Sequence, residues 1–201
     1  NKKNILKSMF LNMLHKTSNR IYGRKCIIKN VQTHDKTIFL DDNHVQGRSN
    51  SSVNLGLYYN NELVALMTFG KPRINMGGDT SNGSWELVRF CNKLNTNVIG
   101  GASKLFKYFL KTYSPKKVVS YSDKRWATGG MYDKLGFKHT HDSAPNYFYI
   151  IGKIRKNRFN FRKSMLINEG YDSNKTEHEI MLERGIYRIY DCGTKVWLWT
   201  I

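Results

Sequence analysis

Residues 97–110, with the sequence NVIGGASKLFKYFL, decide how the rest of the chain is interpreted. The apolar residues after the two glycines recur at helical spacing, at Ala102, Leu105, Phe106, Phe109 and Leu110. Strand, glycine turn and helix follow one another in that order, so the stretch predicts a glycine turn that opens a helix. Close packing of the helix on a strand is one reason for the glycines.

Apolar and aromatic runs on both sides of this turn predict strands. Residues 53–59 and 63–69 are joined by Asn60-Asn61, a polar pair typical of a tight hairpin. Further strands are predicted at 25–31, 85–91, 117–123 and 147–151, and helical segments at 4–14, 37–40 and 130–135. We expect an α/β protein with a mixed, mostly antiparallel twisted sheet flanked by helices.

The composition changes at Lys153. Residues 153–163, KIRKNRFNFRK, contain six Lys and Arg, two Phe and no acid. Beyond them, Thr176 to Glu179 has the form of a capping box, and residues 186–190 and 195–199 predict a terminal hairpin. The chain is thus expected to comprise an N-terminal helix and strand (1–36), a core (37–152) and a small basic C-terminal helix-hairpin appendage (153–201).

The charge of the chain indicates its partner. Thirty-three Lys and Arg against 15 Asp and Glu give a formal charge of +18, which repels itself unless a polyanion neutralises part of it. Double-stranded DNA is the expected partner, with a membrane surface or plain solubility as alternatives. No apolar run approaches the roughly 18 residues that span a bilayer, so no membrane-embedded role is expected. Three dispersed cysteines without CxxC spacing predict a reducing compartment, the cytoplasm.

The order hairpin, strand, glycine turn, helix, strand, short helix ending in Leu-Gly-Phe, strand resembles that of GNAT N-acetyltransferases over about residues 37–151. The family's turn follows an R/Q-x-x-G-x-G/A pattern. The resemblance implies that an acyl donor such as a coenzyme A thioester binds at Asn97, Gly100, Gly101 and Ala102, although Asn97 stands where Arg or Gln is usual. Residues 132–137, YDKLGF, resemble the family's Y-x-k-l-G-F signature, which implies that Tyr132 protonates the leaving thiolate.

A narrower resemblance lies in Ser120 to Asp123, Gly130 to Tyr132, and His44. These residues are similar to the Mom family, GNAT-related phage enzymes that modify the exocyclic amine of adenine in DNA. The resemblance implies a site of His44, Asp123 and Tyr132, acting as base, orienter and acid or binding an iron-type ion. The alternatives are an exposed or phosphate-contacting His44, an Asp123 that caps the following turn, and a Tyr132 at the edge of the core.

An adenine amine inside a duplex is hidden in the base stack, so the enzyme must flip the base out. Trp126 and Trp85 are candidates for stacking on it, with core packing as the alternative for each. Lys71 and Arg73 begin a loop over residues 70–84, expected to be mobile, that is a candidate to close over the strand. Further DNA contacts, or else a solvated basic face, are predicted at Lys153, Arg155, Lys156, Arg158, Arg162 and Lys163.

A broader resemblance covers nearly the whole chain. Residues 43–47, 89–95, 176–183 and 187–193 look like the C-terminal part of phage Hef-like homing endonucleases. The resemblance implies an upstream nuclease domain in a longer chain, as Asn1 in place of Met suggests, and the cytoplasm of a phage-infected or prophage-carrying bacterium. Three functions therefore stay open: a DNA-modifying acyltransferase, a non-catalytic DNA-recognition domain, and an ordinary acetyltransferase, which leaves the charge unexplained.

Overall fold

The computed structural model describes residues 2–74, 79 and 81–201. The helices are α1 (Lys3–Met13), α2 (Thr33–Asn43), α3 (Gly101–Tyr113), α4 (Gly130–Leu135), α5 (Lys163–Asn168) and α6 (Glu177–Glu183). The strands are β1 (Asn19–Tyr22), β2 (Ile27–Asn30), β3 (Val53–Tyr59), β4 (Glu62–Gly70), β5 (Ser84–Asn92), β6 (Thr96–Ile99), β7 (Lys117–Asp123), β8 (Lys138–Asp142), β9 (Tyr147–Ile151), β10 (Ile154–Asn157), β11 (Arg188–Tyr190) and β12 (Thr194–Thr200). Short 3₁₀ turns occupy Gly23–Lys25 and Arg158–Phe161.

The main sheet has seven strands in the order β2-β3-β4-β5-β7-β12-β8. Strands β2 to β5 pair antiparallel in succession, and β5 pairs with β7 in parallel. The remaining strands form the parallel pair β1-β6 and the three-stranded sheet β10-β9-β11. The predicted α/β class, with a mixed and mostly antiparallel sheet flanked by helices, is confirmed.

The hairpin of β3 and β4 is confirmed, with its turn at the predicted pair. Asn60 and Asn61 have φ values of 50° and 63°. Two consecutive residues in the left-handed region are what a type I′ turn requires, and asparagine tolerates this conformation better than most residues. The turn lets β4 enter the middle of the sheet, where residues 64–70 are buried.

Helix α3 begins at the quoted glycine turn. Gly100 has φ +74°, a conformation that favours glycine, and a Cβ on Gly101 would lie 2.9 Å from Cγ1 of Val98. Close helix-strand packing is therefore a reason for Gly101 at least. The apolar face of α3 is buried, and Phe109 stacks on Phe69 of β4 with ring centroids 3.6 Å apart.

The terminal hairpin was predicted wrongly. Its two strands exist, but β11 pairs with β9, whereas β12 lies between β7 and β8 in the main sheet. The physical reason is Trp197, which is 3% exposed and stacks on the ring of Tyr132 at 5.0 Å. A buried aromatic pair outweighs the local preference for a hairpin. Strands β1, β6, β8 and β10 were not predicted, because each has only four or five residues.

Two compact units divide the described residues. The first comprises Asn1–Tyr121, Gly129–Thr140 and Val196–Ile201, and the second comprises Ser122–Thr128 and His141–Lys195. The second unit has its own core, formed by Tyr149, Leu166, Ile180 and Met181. The sequence-based divisions at 36 and 152 stay a prediction. Within the described part of the chain, no helix has the length and apolar character needed to cross a membrane.

Candidate active site

Two parallel strands separate in the first unit. Strands β5 and β7 pair from Ser84 opposite Lys117 to Leu87 opposite Ser120, yet β5 continues to Asn92. Space therefore opens beyond Leu87, at the carboxyl end of a parallel pair, where ligands of open α/β sheets commonly bind.

A groove of about 340 Å³ lies beside the glycine turn. Its lining comprises Asn12, Phe90, Asn92, Asn97, Val98, Gly100, Ala102, Ser103, Gly130, Met131, Lys134 and Leu135. Three of the four residues predicted to bind the donor thus share one groove. We call this cavity the donor groove.

One end of the donor groove is polar and suits a phosphate. The amide of Lys104 donates to the carbonyl of Gly100 at 3.0 Å and closes the first turn of α3. The amides of Gly101, Ala102 and Ser103 consequently have no intrahelical acceptor. They add to the positive end of the helix dipole, and Lys134 also lines the groove. Phe90, Val98, Met131 and Leu135 supply an apolar wall suited to an alkyl chain.

A second cavity, of about 240 Å³, shares Asn12, Phe90 and Asn92 with the donor groove. Its lining also includes Ile5, Ser8, Met9, Asn43, His44, Val45, Cys91, Lys93, Leu94 and Thr96. Among the described residues that line it, none is Asp or Glu. The buried Oδ1 of Asn92 has no hydrogen-bond partner within the described chain. We call this cavity, whose described lining includes Lys93 but no carboxylate, the acceptor cavity.

His44 caps the C-terminus of α2 and lines the acceptor cavity. Its Nδ1 accepts the backbone N–H of Gln46 at 3.1 Å. Burial, followed by the charges of Arg89 and Lys2, lowers the pKa of His44 to about 3. The imidazole is therefore neutral near pH 7 and carries its proton on Nε2. This tautomer makes His44 a hydrogen-bond donor toward its surroundings rather than a free base.

Tyr132 lies in the first turn of α4 and is 9% exposed. Ser120 Oγ donates to the carbonyl of Leu87 at 2.8 Å, so the hydroxyl of Tyr132 donates to Ser120 Oγ, at 3.0 Å. Burial raises the pKa of Tyr132. Helix α4 also contributes Met131 to the donor groove. The structure thus places the helix of Tyr132 at the groove and its hydroxyl against Ser120.

Asp123 belongs to the second unit. Its carboxylate accepts hydrogen bonds from the guanidinium of Arg125 at 3.0 and 2.5 Å and from the Arg125 amide at 3.0 Å. Burial raises the pKa of Asp123, but these hydrogen bonds and the charge of Arg125 outweigh it and hold the pKa below its ordinary value. Asp123 caps the following turn, which was the alternative interpretation. A joint site of His44, Asp123 and Tyr132 stays a prediction.

An iron-type ion held by His44, Asp123 and Tyr132 stays a prediction. No group of three or more His, Cys, Asp or Glu side chains comes together in the part of the chain that the structure describes. In addition, Gln46 already occupies Nδ1 of His44, and the hydroxyl of Tyr132 is directed to Ser120. No chemical step through a metal follows from this donor set.

Arg89 was missed by the sequence interpretation. It lies on β5, and its guanidinium donates to the carbonyl of Val88 at 2.8 Å, while its buried Nε has no partner among the described residues. Burial and the charge of Arg73 lower the pKa of Arg89. The charge of Arg89 contributes to the low pKa of His44, and it partly offsets the burial that raises the pKa of Tyr132, so it acts on the neighbourhood of each. An arginine inside the apolar run WELVRFC was the available signal.

The predicted DNA contacts have varied surroundings. The guanidinium of Arg73 binds the buried carboxylate of Glu86 at 2.7 Å, and Trp85 packs edge-on against Phe109. In the second unit, Arg125 lies 5.9 Å from the ring of Trp126. Of the predicted cations, Arg158 is half-buried, and the exposed ones are Lys71, Arg73, Lys153, Arg155, Lys156, Arg162 and Lys163. Residues 75–78 and 80 of the loop expected to be mobile lie outside the described residues.

Comparison with solved structures identifies the fold. Ribosomal-protein-S18-alanine N-acetyltransferase from Escherichia coli matches with a TM-score of 0.53 and 10% identity, over 88% of this chain and 94% of that chain. A GNAT-family acetyltransferase from Streptococcus pneumoniae matches with a TM-score of 0.52 and 10% identity, over 88% of this chain and 99% of that chain. Spermidine/spermine N-acetyltransferase SpeG from Vibrio cholerae matches with a TM-score of 0.51 and 9% identity, over 89% of this chain and 94% of that chain. The chain therefore has the GNAT acetyltransferase fold.

The sequence matches no protein-family model and no curated protein. The GNAT resemblance is thus confirmed at the level of the fold. The Mom-like and Hef-like resemblances stay predictions.

Proposed function

We propose that this chain is an acyltransferase that uses a coenzyme A thioester and acts on an amine of a nucleic-acid base. The observation that carries the proposal is the donor groove, in which Asn97, Gly100 and Ala102 line a cavity at the N-terminus of α3. Phe90 and Asn92 of β5 also belong to its lining. A free helix N-terminus beside an apolar wall suits a pyrophosphate joined to an alkyl chain.

The residues of the chain have distinct parts in this function. The amides of Gly101, Ala102 and Ser103, with Lys134, would hold the pyrophosphate, and Phe90 and Met131 would cover the alkyl arm. When bound, the coenzyme A thioester supplies the acyl group. The neutral Nε2–H of His44 would orient the acceptor by donating a hydrogen bond, and the charge of Arg89 would stabilise negative charge that develops near it.

The acceptor is proposed from the chemistry of the acceptor cavity and from the charge of the chain. A protonated amine is disfavoured there, because the described lining contains Lys93 but no carboxylate, and Arg89 and Lys2 act on His44. An amine that is uncharged at pH 7, such as the exocyclic amine of adenine in DNA, suits such a cavity better. The formal charge of +18 favours a nucleic acid as its carrier.

Two other functions are compatible with the fold. An ordinary acetyltransferase fits the fold at least as well, but it leaves the charge unexplained. A non-catalytic DNA-recognition domain is favoured by Tyr132, whose buried hydroxyl is already directed to Ser120.

Turnover with three acceptor classes separates these functions. Acetyl-coenzyme A is incubated with a duplex oligonucleotide, a peptide with a free N-terminus, or spermidine, and released coenzyme A is quantified by chromatography. We expect release with the duplex. Release with the peptide or spermidine alone would establish an ordinary acetyltransferase, and no release with any acceptor, despite tight duplex binding, would establish the recognition domain.

A further inference from the structure

The positive charge of the chain is concentrated away from the C-terminal basic run. The second unit contains 12 Lys and Arg against eight Asp and Glu, a net +4, which leaves +14 of the formal +18 to the first unit. Residues 1–34 alone hold eight Lys and Arg and no acid. Five of these cations, Lys16, Arg20, Arg24, Lys25 and Lys29, fall within 14 residues.

Part of this segment borders an open groove of about 470 Å³. Its lining comprises Lys25, Ile27, Lys29, Tyr58, Tyr59, Asn60 and Asn61. Strand β2 is an edge strand of the main sheet, and its pairing places Ile27 opposite Tyr58. We call this cavity the edge groove.

The polar groups of the edge groove are available to a ligand. Within the described residues, no carboxylate pairs with Lys25 or Lys29. The ammonium group of Lys29 lies 5.1 Å from the ring centroid of Tyr58. Asn60 and Asn61 are exposed at the tip of the hairpin turn. Ammonium, amide and phenol groups all donate hydrogen bonds, which phosphate oxygens accept.

We propose that the edge groove binds the phosphate backbone of duplex DNA. This inference rests on the proposed function, because it places the polymer that carries the acceptor amine. The contacts suit a backbone rather than unstacked bases, since Tyr58 is half-buried and already covered by Lys29. Proteins that prefer single strands need open aromatic faces on which bases stack.

Edge-strand lysines also discourage pairing between sheets of different molecules. That role requires neither a tyrosine under the lysine nor a pair of asparagines beside it. It also does not account for eight cations without one acid in residues 1–34.

Fluorescence anisotropy with a labelled 20-bp duplex tests the inference in the absence of donor, at several NaCl concentrations. The test variant is Lys25→Gln with Lys29→Gln. The matched control, Lys107→Gln with Lys111→Gln, removes the same charge from exposed positions on α3. A second variant, Asn60→Gly with Asn61→Gly, keeps residues that favour the turn and removes only the amides.

We expect the lysine variant to bind the duplex about 10-fold more weakly at 100 mM NaCl, with a salt slope smaller by about 2. The control should lose less than about 3-fold, and the asparagine variant should lose affinity without a change in slope. Unchanged affinity in the lysine variant, or equal losses in variant and control, would overturn the proposal. Tighter binding of the wild type to a single strand of the same length, or to phosphatidylserine vesicles, than to the duplex would also overturn the proposal.

A chain that binds duplex DNA at the edge groove but is not an acyltransferase would give a different result. All three variants should bind coenzyme A as the wild type does, because none of the substituted residues lines the donor groove. A wild type that binds the duplex through Lys25 and Lys29 but binds no coenzyme A would contradict the acyltransferase and leave the edge groove in place.

Discussion

Two acid-free basic segments, residues 1–34 and 153–163, look alike in the sequence but have different surroundings in the fold. In the second segment, Arg155 lies 4.3 Å from the ring centroid of Phe148, and Arg158 lies 5.1 Å from that of Tyr147. The charge of Arg155 also lowers the pKa of Asp123, which is 32 positions away in the chain. In the first segment, Lys25 and Lys29 line an open groove.

The difference shows that the density of charge along a sequence does not determine which charges are available to a ligand. The second unit contains eight Asp and Glu, so its net charge is only +4, and its fold places aromatic rings beside Arg155 and Arg158. The first unit contains the donor groove and most of the unbalanced charge. Function is therefore expected to be more sensitive to substitutions in the first unit than in the second.

Ala102→Glu should have the largest effect. A glutamate in the first turn of α3 suits the helix dipole, but its carboxylate repels a phosphate at the same place. Because Ala102 packs against the core, circular dichroism checks that the variant folds. Coenzyme A affinity should fall about 100-fold, or about 2.7 kcal/mol, in a calorimetric titration. Met165→Glu, an exposed position in the first turn of α5, is the matched control in the second unit and should bind normally. An unchanged affinity in Ala102→Glu would show that coenzyme A does not bind in the donor groove.

His44 should make the first unit sensitive to pH. The folded pKa, about 3, lies below the ordinary value of 6.5, so between these values the unfolded chain binds a proton that the folded chain does not. Stability is therefore lost as pH falls below 6.5, by up to about 1.4 kcal/mol per unit, and is unaffected above it. The free energy of unfolding, measured in urea, should fall more steeply with decreasing pH in the wild type than in His44→Asn below pH 6.5. The asparagine keeps a hydrogen-bond acceptor for the amide of Gln46. Parallel pH profiles would show that His44 titrates normally.

The smallest expected effect is a difference in the free energy of unfolding between variants of the two basic segments. Arg155→Gln with Arg158→Gln removes guanidinium groups from aromatic rings and should cost about 1 kcal/mol in the free energy of unfolding. Lys25→Gln with Lys29→Gln should cost about half as much, because of these two lysines only Lys29 lies over a ring. The reverse order in urea unfolding would indicate that the first segment, not the second, is used for packing.

Local features of the fold were predictable, whereas the site was only partly so. The hairpin at Asn60-Asn61 and the start of α3 depend on neighbouring residues, and both are confirmed. The partner of β12 depends on the contact of Trp197 with a residue 65 positions away, which no local pattern encodes. The role of Arg89 is equally non-local, because its surroundings come from Arg73 and His44 on other elements.

Mass spectrometry of nucleosides from DNA co-expressed with the wild type and with Ala102→Glu tests whether the chain acylates a nucleic-acid base. We expect a base of increased mass in wild-type samples and its absence with the variant, since the proposed donor site includes Ala102. DNA left unmodified by a folded wild type that binds both coenzyme A and duplex DNA would contradict the claim that the chain acylates a nucleic-acid base.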